Sequence, residues 1–287
     1  MRGEPSVSAG FKAAVVQFDP KIGELSNNLA RMLAMLEEAA ATGASLVVFP
    51  ECALSGYVFD SAEAAMPFTE MVPGPASDAF AEACARLNVY AVVGLLERDG
   101  DVIYNAAFVV GPQGLLKNYR KGHLPILGVD RFTAKGDEIP VIDLPFARVG
   151  VLICYDLRFP EAPRSLALRG IDLLIIPTNW PEGAQSSPDF LTSARAWENR
   201  VYLAACDRIG TERGTTFIGR SQILDVDASV LAEADATSEI ILYADILPER
   251  ARQKRLVVRP GFEFDLFGGR RPELYGAITE ERATDGI

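Results

Sequence analysis

Histidine is almost absent from this chain: His123 is the only one in 287 residues. That count all but removes metal centres assembled from several imidazoles, and it limits Cys-His catalysis to a single possible pair. Cysteine is scarce as well. The four that occur, Cys52, Cys84, Cys154 and Cys206, include no CxxC pair. Together with the lack of an apolar leader after Met1, they lead us to expect reduced thiols and a cytoplasmic setting rather than a disulfide framework. Long hydrophobic runs are missing: the best apolar stretches, 45–49, 149–153 and 173–176, are strand-length, far below the ~20 residues of a membrane span. Basic charge is in deficit. A formal net charge of -11 opposes binding to nucleic acid or an anionic membrane, since both require basic surface. A small-molecule substrate is the simpler expectation.

What is present is a long alternation of strands and helices. Residues 1–10 carry no pattern and are expected to be a flexible start. Residues 11–18 (FKAAVVQF) read as a buried strand, Asp19-Pro20 breaks it, and 26–41 places Leu29, Met32, Leu33 and Leu36 at helical spacing before Gly43. A short strand, 45–49, then stops at Pro50-Glu51. Strand, helix, strand is the opening of a βαβ unit, whose functional groups gather beyond the carboxyl ends of the strands. A helix over 77–87 and a hairpin of 90–97 with 102–110 across Asp99-Gly100 follow. From 115 to 140 little regular pattern is visible, and long irregular loops in a compact domain are more often functional than accidental. Further strands are expected at 149–153, 171–176, 201–206, 217–224, 229–234 and 239–246, with helices ending at Leu168 and spanning 187–199. Beyond 255 the pattern breaks down. Phe262, Phe264, Leu266, Phe267 and Tyr275 among Gly, Pro and Arg suggest an arm over 255–287 that packs on something, such as a second subunit. No linker, low-complexity stretch or internal repeat divides the chain, so we read 1–287 as one α/β domain.

Three polar residues share a position type. Glu51 ends the second strand, Cys154 stands where the apolar run 149–153 bends toward a helix opened by Pro160, and Lys121 lies in the loop between them. A thiol of pKa ~8.5 is mostly protonated at neutral pH and needs a base or a positive charge nearby. Glu51 can take the proton, and Lys121 can hold the thiolate and later an oxyanion. Thiolate attack on a carbonyl or nitrile carbon, expulsion of ammonia or an amine, and hydrolysis complete one reaction.

Phe49-Pro50-Glu51, Tyr119-Arg120-Lys121-Gly122-His123-Leu124 and Cys154-Tyr155-Asp156-Leu157-Arg158-Phe159-Pro160-Glu161 together resemble the nitrilase superfamily of carbon–nitrogen hydrolases, in that family's order and over nearly the whole chain. Arg195-Ala196-Trp197-Glu198-Asn199 and Gly219-Arg220-Ser221 look like its RAxEN and GxS segments. The resemblance implies a four-layer αββα sandwich that pairs with a second subunit as a homodimer or higher homo-oligomer. It also implies a Glu-Lys-Cys triad on Glu51, Lys121 and Cys154, acting through a thioester or thioimidate with no metal or organic cofactor. Tyr155-Asp156 after the cysteine looks like the amidase branches rather than the Cys-Trp-Glu of nitrilases proper, which favours a small amide, hydrolysed to acid and ammonia, over a nitrile or carbamoyl substrate. Many members carry a second glutamate after the lysine. Here the loop 125–132 has none, Asp130 is the nearest stand-in and Glu138 the alternative.

The remaining candidates are weaker. Tyr57, Tyr155, Asn179 and Trp180 are placed at the substrate, Trp180 as an apolar wall and Asn179 as a polar handle, with Phe59 and Arg158 behind them; Arg158 has the alternative of pairing with Glu161 at i, i+3. Cys52 follows Glu51 and on an extended chain would face the other way. Cys84 and Cys206 read as core. His123 is the one residue able to form a rival pair with Cys154. A catalytically idle dimeric scaffold and an acyltransferase are the readings from other classes.

Overall fold

The computed structural model of the chain describes residues 10–280; the rest of the expected flexible start and residues 281–287 of the expected arm lie outside the described residues. Strands β1 (Phe11–Gln17), β2 (Leu46–Val48), β3 (Tyr90–Asp99), β4 (Val102–Gly111) and β5 (Gly114–Arg120) belong to one sheet. Helices α1 (Leu25–Ala41), α2 (Ala62–Ala65) and α3 (Pro75–Leu87) lie between them in sequence. The second half supplies β6 (Val141–Asp143), β7 (Arg148–Val151), α4 (Glu161–Leu168), β8 (Leu173–Thr178), α5 (Thr192–Asn199) and β9 (Tyr202–Asp207). It continues with the small pair β10 (Thr211–Glu212) and β11 (Thr215–Thr216), then β12 (Gln222–Leu224), β13 (Val230–Glu233), β14 (Ile240–Ile246) and α6 (Pro248–Arg252).

Two six-stranded mixed sheets result, ordered β14-β1-β2-β3-β4-β5 and β13-β12-β9-β8-β7-β6. Each has a parallel trio at its centre, β1-β2-β3 and β7-β8-β9, and antiparallel strands outside it. The crossover helices cover the outer faces: Met32, Leu36 and Ala39 of α1 and Phe80, Ala83 and Cys84 of α3 join Val16, Val47, Val93 and Phe108 in one cluster. The inner faces meet across a seam where Cys206 of β9 donates its Sγ–H to the carbonyls of Val16 (3.3 Å) and Val48 (3.2 Å) in the other sheet. This is the αββα sandwich implied by the sequence, with Cys84 and Cys206 in its core. Among the described residues no helix is long and apolar enough to cross a membrane.

Three elements differ from the sequence reading. Residues 114–120, read as irregular, are strand β5. It is a sheet edge with Leu115 and Leu116 exposed, so no inward alternation announces it. Strand β6 is a three-residue edge on the other sheet. The expected strand 217–224 is cut to β12 because Gly219 (φ 58°) and Arg220 (φ 60°) are both left-handed. From Gln253 onward the chain forms a unit of its own, containing a hairpin of β15 (Arg255–Arg259) and β16 (Phe262–Asp265) with Val257, Val258, Phe262 and Phe264 exposed.

One glycine governs how closely the chain approaches itself beside Glu51. A Cβ on Gly94 of β3 would sit 2.3 Å from the Pro50 carbonyl oxygen and 2.8 Å from the Glu51 Cα, both backbone atoms that cannot swing aside. Gly94→Ala is therefore expected to destabilise the protein by about 1–3 kcal/mol. The denaturant midpoint is expected to fall with an unchanged slope.

Candidate active site

Three chain segments deliver the three residues singled out from the sequence. After β2, the Phe49 N–H still bonds the Val92 carbonyl at 2.9 Å. Pro50 has no N–H to continue the ladder, and Cys52 turns left-handed (φ 48°). Glu51 leaves the sheet at that point with its side chain fully buried. Lys121 follows β5: its N–H bonds the Asn105 carbonyl (2.8 Å) and its carbonyl receives the Gly136 N–H (2.9 Å), which fixes the backbone while the side chain runs inward, equally buried. Cys154 follows β7. Leu152 still pairs with Ile175, Cys154 itself takes φ 46°, and a 3-10 turn over Cys154–Arg158 leads into α4. A non-glycine residue held left-handed stores backbone strain, and such residues cluster at functional sites.

Lys121 Nζ lies 2.7 Å from Glu51 Oε1 and 2.7 Å from Asp130 Oδ2. Burial alone would drive the ammonium to give up its proton, but the two carboxylates outweigh it and hold the lysine charged, well above its ordinary range. Glu51 is raised as well. Burial raises it, the Asp130 charge adds to that, and Lys121 with the Asn105 hydrogen bond only partly offsets them. Its Oε2 has no hydrogen-bond partner among the described residues. Burial, and next the charge of Glu51, also push the Cys154 thiol up, against the pull of Lys121, the Thr178 hydroxyl and the Asn179 N–H beside it. These surroundings favour the neutral thiol over the thiolate.

Asp130, from a 3-10 turn over Gly128–Arg131, is in contact with Lys121. Its remaining contacts are the Asn105 amide (2.9 Å) and the Tyr57 hydroxyl (2.8 Å). Tyr57 thus faces the carboxylate cluster. Its loop is held by Glu212, whose Oε1 accepts the N–H groups of Tyr57 (2.7 Å) and Val58 (2.5 Å) and whose Oε2 pairs with the buried Arg208. Glu138 is elsewhere, paired with Lys117 at the surface (2.5 Å), because β5 carries Lys117 away from the site. Tyr155 is half-buried and packs edge-on against Phe159 (5.3 Å). Asn179 and Trp180 follow β8 and are buried; the Trp180 N–H bonds Asp207 Oδ1 (2.9 Å), and neither polar atom of the Asn179 side chain has a partner among the described residues. Phe59 is buried and stacked on Phe68 (5.5 Å), and Arg158 is exposed.

His123 is not directed at Cys154. Its Nδ1 lies 2.7 Å from Asp156 Oδ1 and its ring stacks on Phe159 at 3.9 Å. Asp156 also receives the His123 N–H (2.9 Å) at Oδ1, and the Tyr119 hydroxyl (2.7 Å) and Ile153 N–H (2.8 Å) at Oδ2. Both oxygens are consumed in tying the lysine segment to the cysteine turn. Cys52 does not follow the alternation of an extended chain, since its backbone is left-handed, and its thiol donates to Asn105 Oδ1 at 3.5 Å. Arg195 reaches back to the Leu157 carbonyl (3.0 Å), and the Ser221 hydroxyl accepts the Asp207 N–H (2.9 Å), so the RAxEN-like and GxS-like segments brace the site's walls. Sequence reasoning missed Asn105, Asp207 and Glu212. A lone Asn in the apolar run of β4 was the one available signal. Among the described residues no group of three or more His, Cys, Asp or Glu is placed to hold a metal ion.

Residues 12–256 match the carbon-nitrogen hydrolase family. The chain is 40% identical over 268 residues to a nitrilase from Pyrococcus abyssi, covering 92% of this chain and 98% of that one. It is 31% identical over 280 residues to the human (Homo sapiens) omega-amidase NIT2, covering 92% and 96%. The crystal structure of Saccharomyces cerevisiae Nit3, a member of branch 10 of the nitrilase superfamily, superposes with a TM-score of 0.77 at 26% identity over 87% of this chain and 94% of that one.

Asp207 offers a test of the electrostatics of this interior. Burial lifts its carboxyl well above the ordinary range, and Oδ2 has no partner among the described residues. The native state keeps a proton that the unfolded chain releases near pH ~4, so rising pH favours unfolding until the native carboxyl also ionises. Removing the group removes that decline. Urea midpoints measured against pH are expected to fall less steeply for Asp207→Asn than for the wild type above the ordinary carboxylate range.

Proposed function

The chain belongs to the carbon-nitrogen hydrolase family, and from that premise we propose that it is a cysteine-dependent amidase that hydrolyses a small amide to carboxylic acid and ammonia. The observation that carries the reading is the buried Glu51–Lys121 pair at 2.7 Å with Glu51 Oε2 left without a partner. One oxygen is anchored to a permanent cation, and the other is available to a proton. The raised thiol of Cys154 makes such a base necessary.

In this mechanism Glu51 takes the Cys154 proton as sulfur bonds to the carbonyl carbon and the carbonyl π electrons move onto oxygen, where Lys121 balances the charge. The intermediate collapses, the C–N bond breaks, and Glu51 returns the proton to nitrogen so that ammonia departs from a thioester. Glu51 then deprotonates a water, whose oxygen attacks the thioester carbon. The acid forms and the thiol recovers its proton. Asp130 compensates Lys121 throughout and, like Tyr57, acts at the cluster rather than on sulfur. The unpartnered carboxamide of Asn179 and the indole of Trp180 are the groups we assign to the substrate, together with Tyr155.

A nitrile is the second reading, favoured by the 40% identity to a protein named nitrilase. The name omega-amidase on the human relative favours the amide. Asp156 is assigned no contact with substrate, since both its oxygens are occupied by Tyr119, His123 and Ile153.

Ammonia release from matched panels of aliphatic amides and nitriles tests the assignment: turnover of amides with nitriles inert supports it, and turnover confined to nitriles overturns it. Glu51→Gln and Lys121→Ala are expected to lower kcat by at least about 10²-fold, whereas His123→Ala retains most of it. A collapse of kcat in His123→Ala with activity surviving in Glu51→Gln would transfer the base to the imidazole.

A further inference from the structure

Asn105 sits in β4, fully buried, at the centre of the charged cluster without being charged itself. Its amide gives one hydrogen to Glu51 Oε1 (2.7 Å) and the other to Asp130 Oδ1 (2.9 Å). Its side-chain oxygen receives the Cys52 thiol (3.5 Å), and its backbone carbonyl receives the Lys121 N–H (2.8 Å). The orientation of the amide is dictated by its partners, because two carboxylates accept and only the nitrogen side can donate to both. One neutral residue thus touches the three charged members of the cluster, two through its side chain and Lys121 through its backbone.

The arrangement addresses a difficulty of charge. Two acids share one ammonium in a buried site, and among the described residues no second cation is in contact with them. Asn105 donates one N–H to each acid without adding charge. They also break the symmetry of Glu51: with Lys121 and Asn105 both on Oε1, the oxygen left for a proton is Oε2.

We propose that Asn105 is a positioning residue that keeps Glu51 ionised and selects Oε2 as the oxygen that accepts the proton. This rests on the reading of Glu51 as base given above. The groups that act on Glu51 are Lys121 from the end of β5, Asp130 from its turn, Tyr57 from the loop after β2, Cys154 after β7, Asp207 at the end of β9 and the adjacent Cys52. Asn105→Leu leaves all of them in place and removes two donors at nearly constant volume.

The test compares wild type, Asn105→Leu and Asn105→Ser in the full chain, with two readouts against pH. One is kcat/KM on the amide that the wild type turns over. The other is the rate of Cys154 alkylation by iodoacetamide, followed by intact mass, which needs no substrate assignment. With the donors gone, Glu51 protonates more readily, so the acid limb of both profiles is expected to rise by about one pH unit in Asn105→Leu. On the acid side that is about a tenfold loss of rate. Asn105→Ser, able to donate to one carboxylate, is expected to fall between. A folded variant whose rates drop by one factor at every pH, with the limb unmoved, would show a structural role only and overturn the proposal. If the leucine variant does not fold, the serine variant decides by the same criterion. If the wild type hydrolyses no amide but the alkylation limb moves, the substrate reading fails and the role of Asn105 stands.

Discussion

Lys121 carries a full charge into a part of the protein sealed from solvent, and an ammonium in such surroundings is driven either to neutralise or to find anions within contact distance. It has found two. Glu51 comes from the turn after β2, Asp130 from the loop beyond β5, and the lysine from the end of β5 itself, separated from β2 by two strands of the sheet. Bringing them together demands that β3 and β4 pass underneath without obstruction. Gly94 of β3 meets that demand by having no side chain to press on the Glu51 turn, and Asn105 of β4 meets it by offering hydrogen-bond donors where a hydrocarbon would isolate the charges.

The same constraint separates what the sequence makes visible from what it hides. Glu51 and Cys154 stand where buried strands end, a position that hydrophobic patterning reveals, and Lys121 lies in a segment whose motif is distinctive even though β5 itself is disguised by its exposed edge. Supporting residues have no such marker. Asn105 is one polar letter inside an apolar strand. Asp207 closes β9 as an ordinary acid, and Glu212 belongs to a two-residue strand whose partners lie some 155 positions earlier in the chain. Their roles depend on contacts between segments remote in sequence, which no local periodicity encodes. Asp156 lies in a distinctive motif, yet its bonds to Tyr119, His123 and Ile153 appear only in the folded chain.

Electrostatics also sets the resting condition of the nucleophile. A thiol raised by burial is protected from adventitious oxidants and electrophiles, because thiolate is the reactive form. Under the proposed mechanism, reactivity belongs to the moment when Glu51 accepts the proton, so the same burial that protects the sulfur ties its chemistry to that carboxylate.

The seam between the sheets deserves a last consideration. Glu51 and Lys121 are furnished by one sheet and Cys154 by the other, so the reacting constellation exists only while the two layers keep their mutual registry. Specific links cross it, among them Cys206 to the carbonyls of Val16 and Val48, Ile209 to Phe18, Asp156 to Tyr119 and His123, Glu212 to Tyr57 and Val58, and Ser221 to Gln17. Each layer has its own helices and its own ladder of backbone bonds, and either can stay folded through a slip of an ångström that would separate base from sulfur. Heat or denaturant acting on that boundary would silence the protein while its secondary structure still looked intact.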